Sequence, residues 1–215
     1  MEIKRTANAG VLLRLDGKQL LLDGVCSEVK PYLATPEQLR QQLLDTALDV
    51  VAFTHAHRDH YDPVFVSEYL QKAAGPILGP ADIPFTSSTE QTVGNVKVMP
   101  IPSRHLGKAD EVQHVSYIIR GSHCVWFLGD ASPLQWKGRQ DLPKPDVLIA
   151  PFAYATCGGW DITCRLDPRA FVLVHLPRQE EDPHGLWQQV KRAVRRQNGP
   201  SVYIPDLDQR IRFAD

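Results

Sequence analysis

Short apolar runs, not long amphipathic helices, dominate the pattern of this chain. Val11-Leu12-Leu13-Arg14-Leu15 and Gln19-Leu20-Leu21-Leu22 flank Asp16-Gly17-Lys18, and two such runs around a Gly-containing turn predict a β-hairpin. The chain is therefore expected to open with antiparallel sheet. Thr35 then reads as a helix cap, with Pro36 at the first position, Gln38 reaching back, and Leu39, Leu43 and Leu44 at helical spacing to an end near Thr46. Val50-Val51-Ala52-Phe53 is continuous and apolar, as a strand buried on both faces would be. Asp62-Pro63 has the form of an N-cap and first helical residue, which predicts a helix over residues 64–74. Residues 95–99, 114–120 and 124–128 return to a β-rich pattern, the last two joined by Gly121-Ser122-His123. Residues 147–150 and 171–174 predict further buried strands, each running into a loop. A helix is expected between Asp182-Pro183 and Gly199, with Leu186, Trp187, Val190 and Val194 on one side. Residues 201–204 with 211–213 read as one closing β segment. Strands first, then helices and strands mixed, indicate a layered α/β sandwich.

At 215 residues the chain is long enough for a sizeable core, and residues 1–215 are expected to form a single domain. Its 24 basic and 25 acidic residues leave a formal net charge of -1, so no global field gathers nucleic acid or anionic membrane. An anionic substrate must be held locally. The start, Met1-Glu2-Ile3-Lys4-Arg5-Thr6, carries no apolar signal region, and no apolar run approaches the roughly 20 residues of a membrane span. A cytoplasmic protein without membrane insertion is expected. Cys26, Cys124, Cys157 and Cys164 show neither CxxC spacing nor the density of a disulfide scaffold, and read as free thiols.

The chemistry concentrates directly after the Val50 strand. His55, His57, Asp59 and His60 place four candidate ligands within six consecutive residues. Neutral imidazole and carboxylate suit zinc and related divalent ions, and a loop can fan such side chains around metal where a regular helix or strand could not.

This run, His55-x-His57-x-Asp59-His60, resembles the HxHxDH signature of the metallo-β-lactamase superfamily, and the resemblance extends over nearly the whole chain. Asp23, in Leu20-Leu21-Leu22-Asp23-Gly24, matches the early aspartate that braces the metal loop. His105, Asp130 in Gly129-Asp130, and His175 match the later motifs, most of them after a strand. The resemblance implies an α/β (α+β) αββα four-layer sandwich and two divalent ions, zinc first, with manganese or iron as alternatives. One ion would lie on His55, His57 and His105, the other on Asp59, His60 and His175, with Asp130 between them. Asp59 and Asp130 would also orient the proton of an attacking water. His114 competes with His105 but is read as structural.

His60 is followed by Tyr61-Asp62-Pro63, not the paired glycines of glyoxalase II, and His57 stands where flavodiiron proteins carry glutamate. The short length and residues 114–119 resemble the branch of L-ascorbate-6-phosphate lactonase and N-acyl-phosphatidylethanolamine phospholipase D. The expected function is hydrolysis of an ester, lactone or phosphodiester bond in a small or medium-sized molecule. The alternatives are a phosphodiesterase or nuclease, a non-catalytic metal-binding regulatory module, and, third, redox chemistry. Arg58 and Tyr61, in the metal loop, and Tyr154 and Trp160, near Cys157, are candidate substrate contacts. Cys26 reads as a buried thiol. Lys191, Arg192, Arg195 and Arg196 read as a solvated helix end favoured by the helix dipole, and His184 as a surface residue. A small-molecule partner is expected and nucleic acid is not; homo-oligomerisation stays open.

Overall fold

Alternation along the strands explains why so much of this chain is apolar on both faces. The computed structural model describes residues 1–72, 75–107 and 111–214. Its first sheet contains β1 (Glu2–Arg5), β2 (Val11–Leu15), β3 (Lys18–Leu22), β4 (Val50–Ala52), β5 (Ile77–Leu78) and β13 (Arg210–Arg212), in the order β13-β1-β2-β3-β4-β5. The second contains β6 (Gln91–Val93), β7 (Val96–Ser103), β8 (His114–Arg120), β9 (Cys124–Phe127), β10 (Val147–Pro151), β11 (Ala170–Val174) and β12 (Ser201–Tyr203), in the order β12-β11-β10-β9-β8-β7-β6. Val11, Leu13, Leu20 and Leu22 of the first sheet join Tyr117, Phe127, Ile149 and Val172 of the second in one core between the sheets. Their neighbours Leu12 and Leu21 point the other way, toward α1 (Glu37–Leu44) and α2 (Pro63–Lys72). Trp126, Leu148 and Phe171 likewise cover the outer face of the second sheet beneath α3 (Ala153–Thr156), α4 (Trp160–Cys164) and α5 (Leu186–Arg195). The layers are helix, sheet, sheet, helix.

Each sheet is antiparallel on one side and parallel on the other. β3, β4 and β5 run parallel, as do β9, β10, β11 and β12. β7 is two antiparallel steps from β9 and so runs the same way. The C-terminal ends of β3, β4, β7, β9 and β11 therefore deliver their loops to one edge of the sandwich, the usual place for a ligand site in a partly parallel sheet.

The predicted hairpin forms, with Leu15 opposite Lys18. Asp62 caps α2 as expected: its Oδ1 accepts from the backbone N–H groups of Val64 and Phe65 at 2.8 and 3.1 Å. The expected end of that helix, residues 73–74, lies outside the described residues. Thr35 does not cap α1, which starts at Glu37, ends at Leu44 and has no side-chain cap. Its Oγ1 instead accepts from the Cys26 N–H at 3.1 Å, because buried Thr35 folds back on the Cys26 loop. Residues 201–204 and 211–213 do not form one β segment either. β12 pairs with β11 and β13 with β1, each filling the open edge of a different sheet.

Between these two strands the chain is anchored by Arg5. Its buried guanidinium donates to the carbonyls of Ala7, Asn8, Pro205 and Leu176. Burial pulls it down to about 10, and it stays charged. No helix among the described residues is long and apolar enough to cross a membrane.

Candidate metal centre

The metal loop is fixed from below before any of its side chains can act. Past β4, the carbonyl of Phe53 accepts from the Tyr117 hydroxyl at 2.7 Å, and that of Thr54 from the Val115 N–H at 2.9 Å. Asp23, fully buried and at φ 43°, occupies the turn after β3. It accepts from the Thr54 N–H at 2.7 Å, the Thr54 hydroxyl at 2.6 Å and His60 Nδ1 at 2.8 Å. Burial pushes this carboxyl up, against the pull of His60 and Thr54; three donors on two oxygens identify it as a carboxylate.

These bonds dictate the imidazole tautomers. The Thr54 hydroxyl spends its proton on Asp23, so His55 Nδ1 donates to Thr54 Oγ1 at 3.0 Å and His55 Nε2 carries a lone pair. His60 donates through Nδ1 to Asp23, and His105 through Nδ1 to the Leu106 carbonyl at 2.7 Å, which leaves both Nε2 atoms unprotonated in the neutral rings. Exposed His57 turns its Nδ1 to within 3.0 Å of His55 Nε2.

Asp130 enters from the end of β9. The Leu106 N–H binds the Asp130 carbonyl at 2.6 Å and the Ser132 N–H binds the Arg104 carbonyl at 2.7 Å, locking the His105 and Asp130 loops together. Gly129 sits at φ 53°, and a Cβ there would lie 2.6 Å from Thr54 side-chain atoms, so only glycine lets the loop close on Thr54. His175 follows β11 at φ 67°, its N–H held by the Asn8 carbonyl at 3.0 Å. Its Nε2 lies 3.3 Å from both Asp59 Oδ2 and Asp130 Oδ2. Left-handed backbone at Asp23 and His175 costs on the order of 1–3 kcal/mol each, the kind of strain kept at functional sites.

Three sets emerge in which every candidate ligand atom lies within 4.8 Å of the others: His55, His57 and His105; His55, His60 and Asp130; Asp59, His60 and His175. Asp130 spans them, with Oδ1 3.5 Å from His60 Nε2 and Oδ2 3.7 Å from His105 Nε2. The Nε2 atoms of His60, His105 and His175 and Asp130 Oδ1 are buried without a hydrogen-bond partner. An enclosed set of unpartnered imidazole nitrogens and carboxylate oxygens is what a hard or borderline divalent cation requires, and this donor set fits one. Without metal, the carboxylates draw positive charge onto the histidines instead. Burial works against ionisation of Asp130, but His175 and His60 hold it well below the usual carboxylate range. Burial also works against a charged His60, yet Asp130 and Asp23 raise it to about 9, and Asp130 and Asp59 hold His175 well above its ordinary value. His55 is pushed far down by burial and by His60.

The structure thus brings together His55, His57, Asp59, His60, His105, Asp130 and His175, with Asp23 beneath them. Arg58 is exposed beside the centre. Tyr61 turns away and packs edge-on against Phe53 at 5.1 Å, in the layer of α1 and α2. Tyr154 and Trp160 are core residues. The Tyr154 hydroxyl donates to the Ala131 carbonyl at 2.6 Å and accepts from Trp136, bracing the Asp130 loop, while Trp160 stacks on Phe171 and donates to the Asn198 carbonyl. Cys26 is a buried thiol raised by burial, and all four cysteines are free.

Sequence reasoning missed Asn8, whose Nδ2 donates to Asp59 Oδ2 at 3.4 Å, and Tyr32, whose ring meets that of His175 edge-on at 4.8 Å. His114, weighed against His105 in the sequence and read as structural, lies beside His55 and His105. Polar Asn8, set between small residues and just before Gly10 ahead of an apolar strand, was the one local signal. A cavity of about 670 Å³ lined by Trp126, Trp136, Leu142 and Arg165 contains none of the candidate ligands.

Residues 2–164 match the family described as the β-lactamase superfamily domain, and the chain belongs to that superfamily. Its layering is that of the metallo-β-lactamase fold. Igni18, a metallo hydrolase from Ignicoccus hospitalis, superposes with a TM-score of 0.70 at 16% identity, over 100% of this chain and 98% of its own. The metallo-β-lactamase fold protein YhfI from Bacillus subtilis gives 0.65 at 15% identity, over 98% of each chain. CmlA, a diiron β-hydroxylase from Streptomyces venezuelae, gives 0.65 at 16% identity, over 99% of this chain and 54% of its own. A search of curated proteins finds no match.

Proposed function

We propose that this protein is a hydrolase that holds two divalent cations, zinc first, and cleaves an ester, lactone or phosphodiester bond of a small or medium-sized molecule. One observation carries the reading: seven nitrogen and oxygen ligands from four separate loops converge on one edge, with buried ligand atoms left without partners. Cations held there supply Lewis acidity and make water a nucleophile at neutral pH. The His55, His57 and His105 set and the Asp59, His60 and His175 set would each hold one, with Asp130 shared. Asp130 Oδ1, unpartnered, and Asp59 Oδ2, held by Asn8, are the carboxylate atoms placed to hold or move the proton of an attacking water. Asp23 and Thr54 hold the His60 and His55 rings in position ahead of the reaction. Arg58 and Tyr32 stand at the rim, where a substrate would meet them.

Nitrogen and oxygen donors with no cysteine among them suit zinc, manganese or iron. His57 in place of an acidic ligand favours hydrolysis over the oxidative chemistry named for CmlA. Igni18, of matching length, is itself named a metallo hydrolase. Within the superfamily we favour the lactonase and phospholipase D branch, on the short chain and residues 114–119. A net charge of -1 supports a small-molecule partner over nucleic acid.

The test is turnover of p-nitrophenyl esters, γ-lactones and bis-p-nitrophenyl phosphate by zinc- or manganese-loaded protein. One class should be hydrolysed, and Asp130→Asn or chelation should abolish the activity. Metal-loaded protein inert toward all three classes would turn the reading toward a binding module, and cleavage of single-stranded RNA or DNA alone toward a nuclease.

A further inference from the structure

A sixth imidazole shares this space without belonging to any of the three sets. His114 opens β8 opposite Ser103 and is 4% exposed, with its ring centroid 5.0 Å from that of His55 and 5.7 Å from that of His105. A chain of hydrogen bonds fixes its tautomer. The Leu128 carbonyl can only accept, so the Ser116 hydroxyl donates to it at 2.9 Å. With that proton spent, Ser116 accepts from Ser103 at 3.0 Å; Ser103 in turn has none left and accepts from His114 Nδ1 at 2.6 Å. Nδ1 therefore carries the hydrogen, and Nε2 of the neutral ring carries a lone pair.

That lone pair is buried and has no partner. The charged and titratable groups around it are Asp130, His55, His105, His60 and His57, and none makes a hydrogen bond to it. His105 and His60 have already committed their Nδ1 hydrogens to Leu106 and Asp23. A bare acceptor beside the His55 and His105 rings is left in need of a donor that the protein itself does not supply.

We propose that His114 Nε2 accepts a hydrogen bond from an N–H or O–H of the molecule bound at the His55, His57 and His105 position, so that the site selects substrates with a donor next to the carbonyl or phosphoryl group they present. This rests on the metal-centre reading above. Sites built to hydrogen-bond a substrate group reject analogues that lack it far more strongly than apolar pockets reject a missing methyl. The preference should therefore be at least about tenfold.

Calorimetric binding to zinc-loaded protein tests this without turnover. Acetohydroxamic acid and N-methylacetohydroxamic acid present the same chelating oxygens but differ in one N–H. Wild-type protein should bind the N–H compound at least about tenfold more tightly. In His114→Leu the ratio should fall to near one at unchanged zinc content, and His114→Gln, which keeps an acceptor oxygen, should retain part of it. Equal binding of the two compounds by the wild type, or an unaltered ratio in zinc-loaded His114→Leu, would overturn the proposal and leave Nε2 to a buried water. Failure of the wild type to hold zinc would remove the metal-centre reading instead, and this proposal with it.

Discussion

Asp23 commits both carboxylate oxygens to the metal loop and none to the centre itself. Asp23→Ala should therefore leave all seven ligands in the chain yet weaken zinc binding about 10- to 100-fold, the usual effect of losing an outer partner of a ligating histidine. Competition with a chromophoric chelator reads this directly. The histidines also predict how metal-free protein responds to pH. Asp130, with Asp23 or Asp59, raises His60 and His175 despite burial, so their stabilising contribution is complete below 6.5 and is lost as pH rises, for His60 through about 9. Burial lowers His55 and His114, the latter to about 3, so below 6.5 protons bind to these positions only in the unfolded chain and stability falls again. Chelated protein should be most stable near pH 6.5, with slopes on the order of 1 kcal/mol per pH unit per group on either side. Urea midpoints across pH 4–10, roughly, check this; a flat profile would remove the assignment. The close spacing of His55, His57, Asp59 and His60 made them legible in the sequence. Asn8 and Tyr32 were not, because they reach the centre through chain crossings that local pattern does not encode. Tyr154 and Trp160 misled for a related reason: aromatic residues beside glycines look like a pocket lining, but their polar ends are satisfied inside the core.

Strands and turns deliver these residues, and Gly129 shows how narrowly. Its φ of 53° and its closeness to Thr54 mean that Gly129→Ala adds both backbone strain and a clash. The substitution should cost about 2 kcal/mol or more and displace Asp130, so thermal stability and metal content should fall together. A variant as stable and metal-rich as wild type would contradict the close packing of the β9 loop on the β4 loop. The apolar runs predicted the buried strands well because burial on both faces erases alternation. β1, β5 and β6 escaped notice as short segments. The far half of β7 was hidden by Pro100 and Pro102, which look like breakers; they lie where β6 no longer pairs and only β8 does, so their missing N–H groups disrupt no ladder.

The whole molecule places two half-parallel sheets so that five strand ends open on one edge. No single segment predicts this, because it depends on the order β13-β1-β2-β3-β4-β5 against β12-β11-β10-β9-β8-β7-β6. The resemblance carried by spaced motifs, not hydrophobic pattern, supplied the four-layer arrangement. Bound metal should also stabilise the assembled sandwich by mass action, by about 4 kcal/mol at a thousandfold excess over Kd, so chelation should lower Tm reversibly. The most direct test of the central claim is the metal content of protein purified without chelator, measured beside His57→Ala and Asp130→Ala. About two divalent ions per chain, falling in both variants, is the predicted result for a two-metal site. Wild-type protein that holds none, even after zinc or manganese is added back, would contradict it.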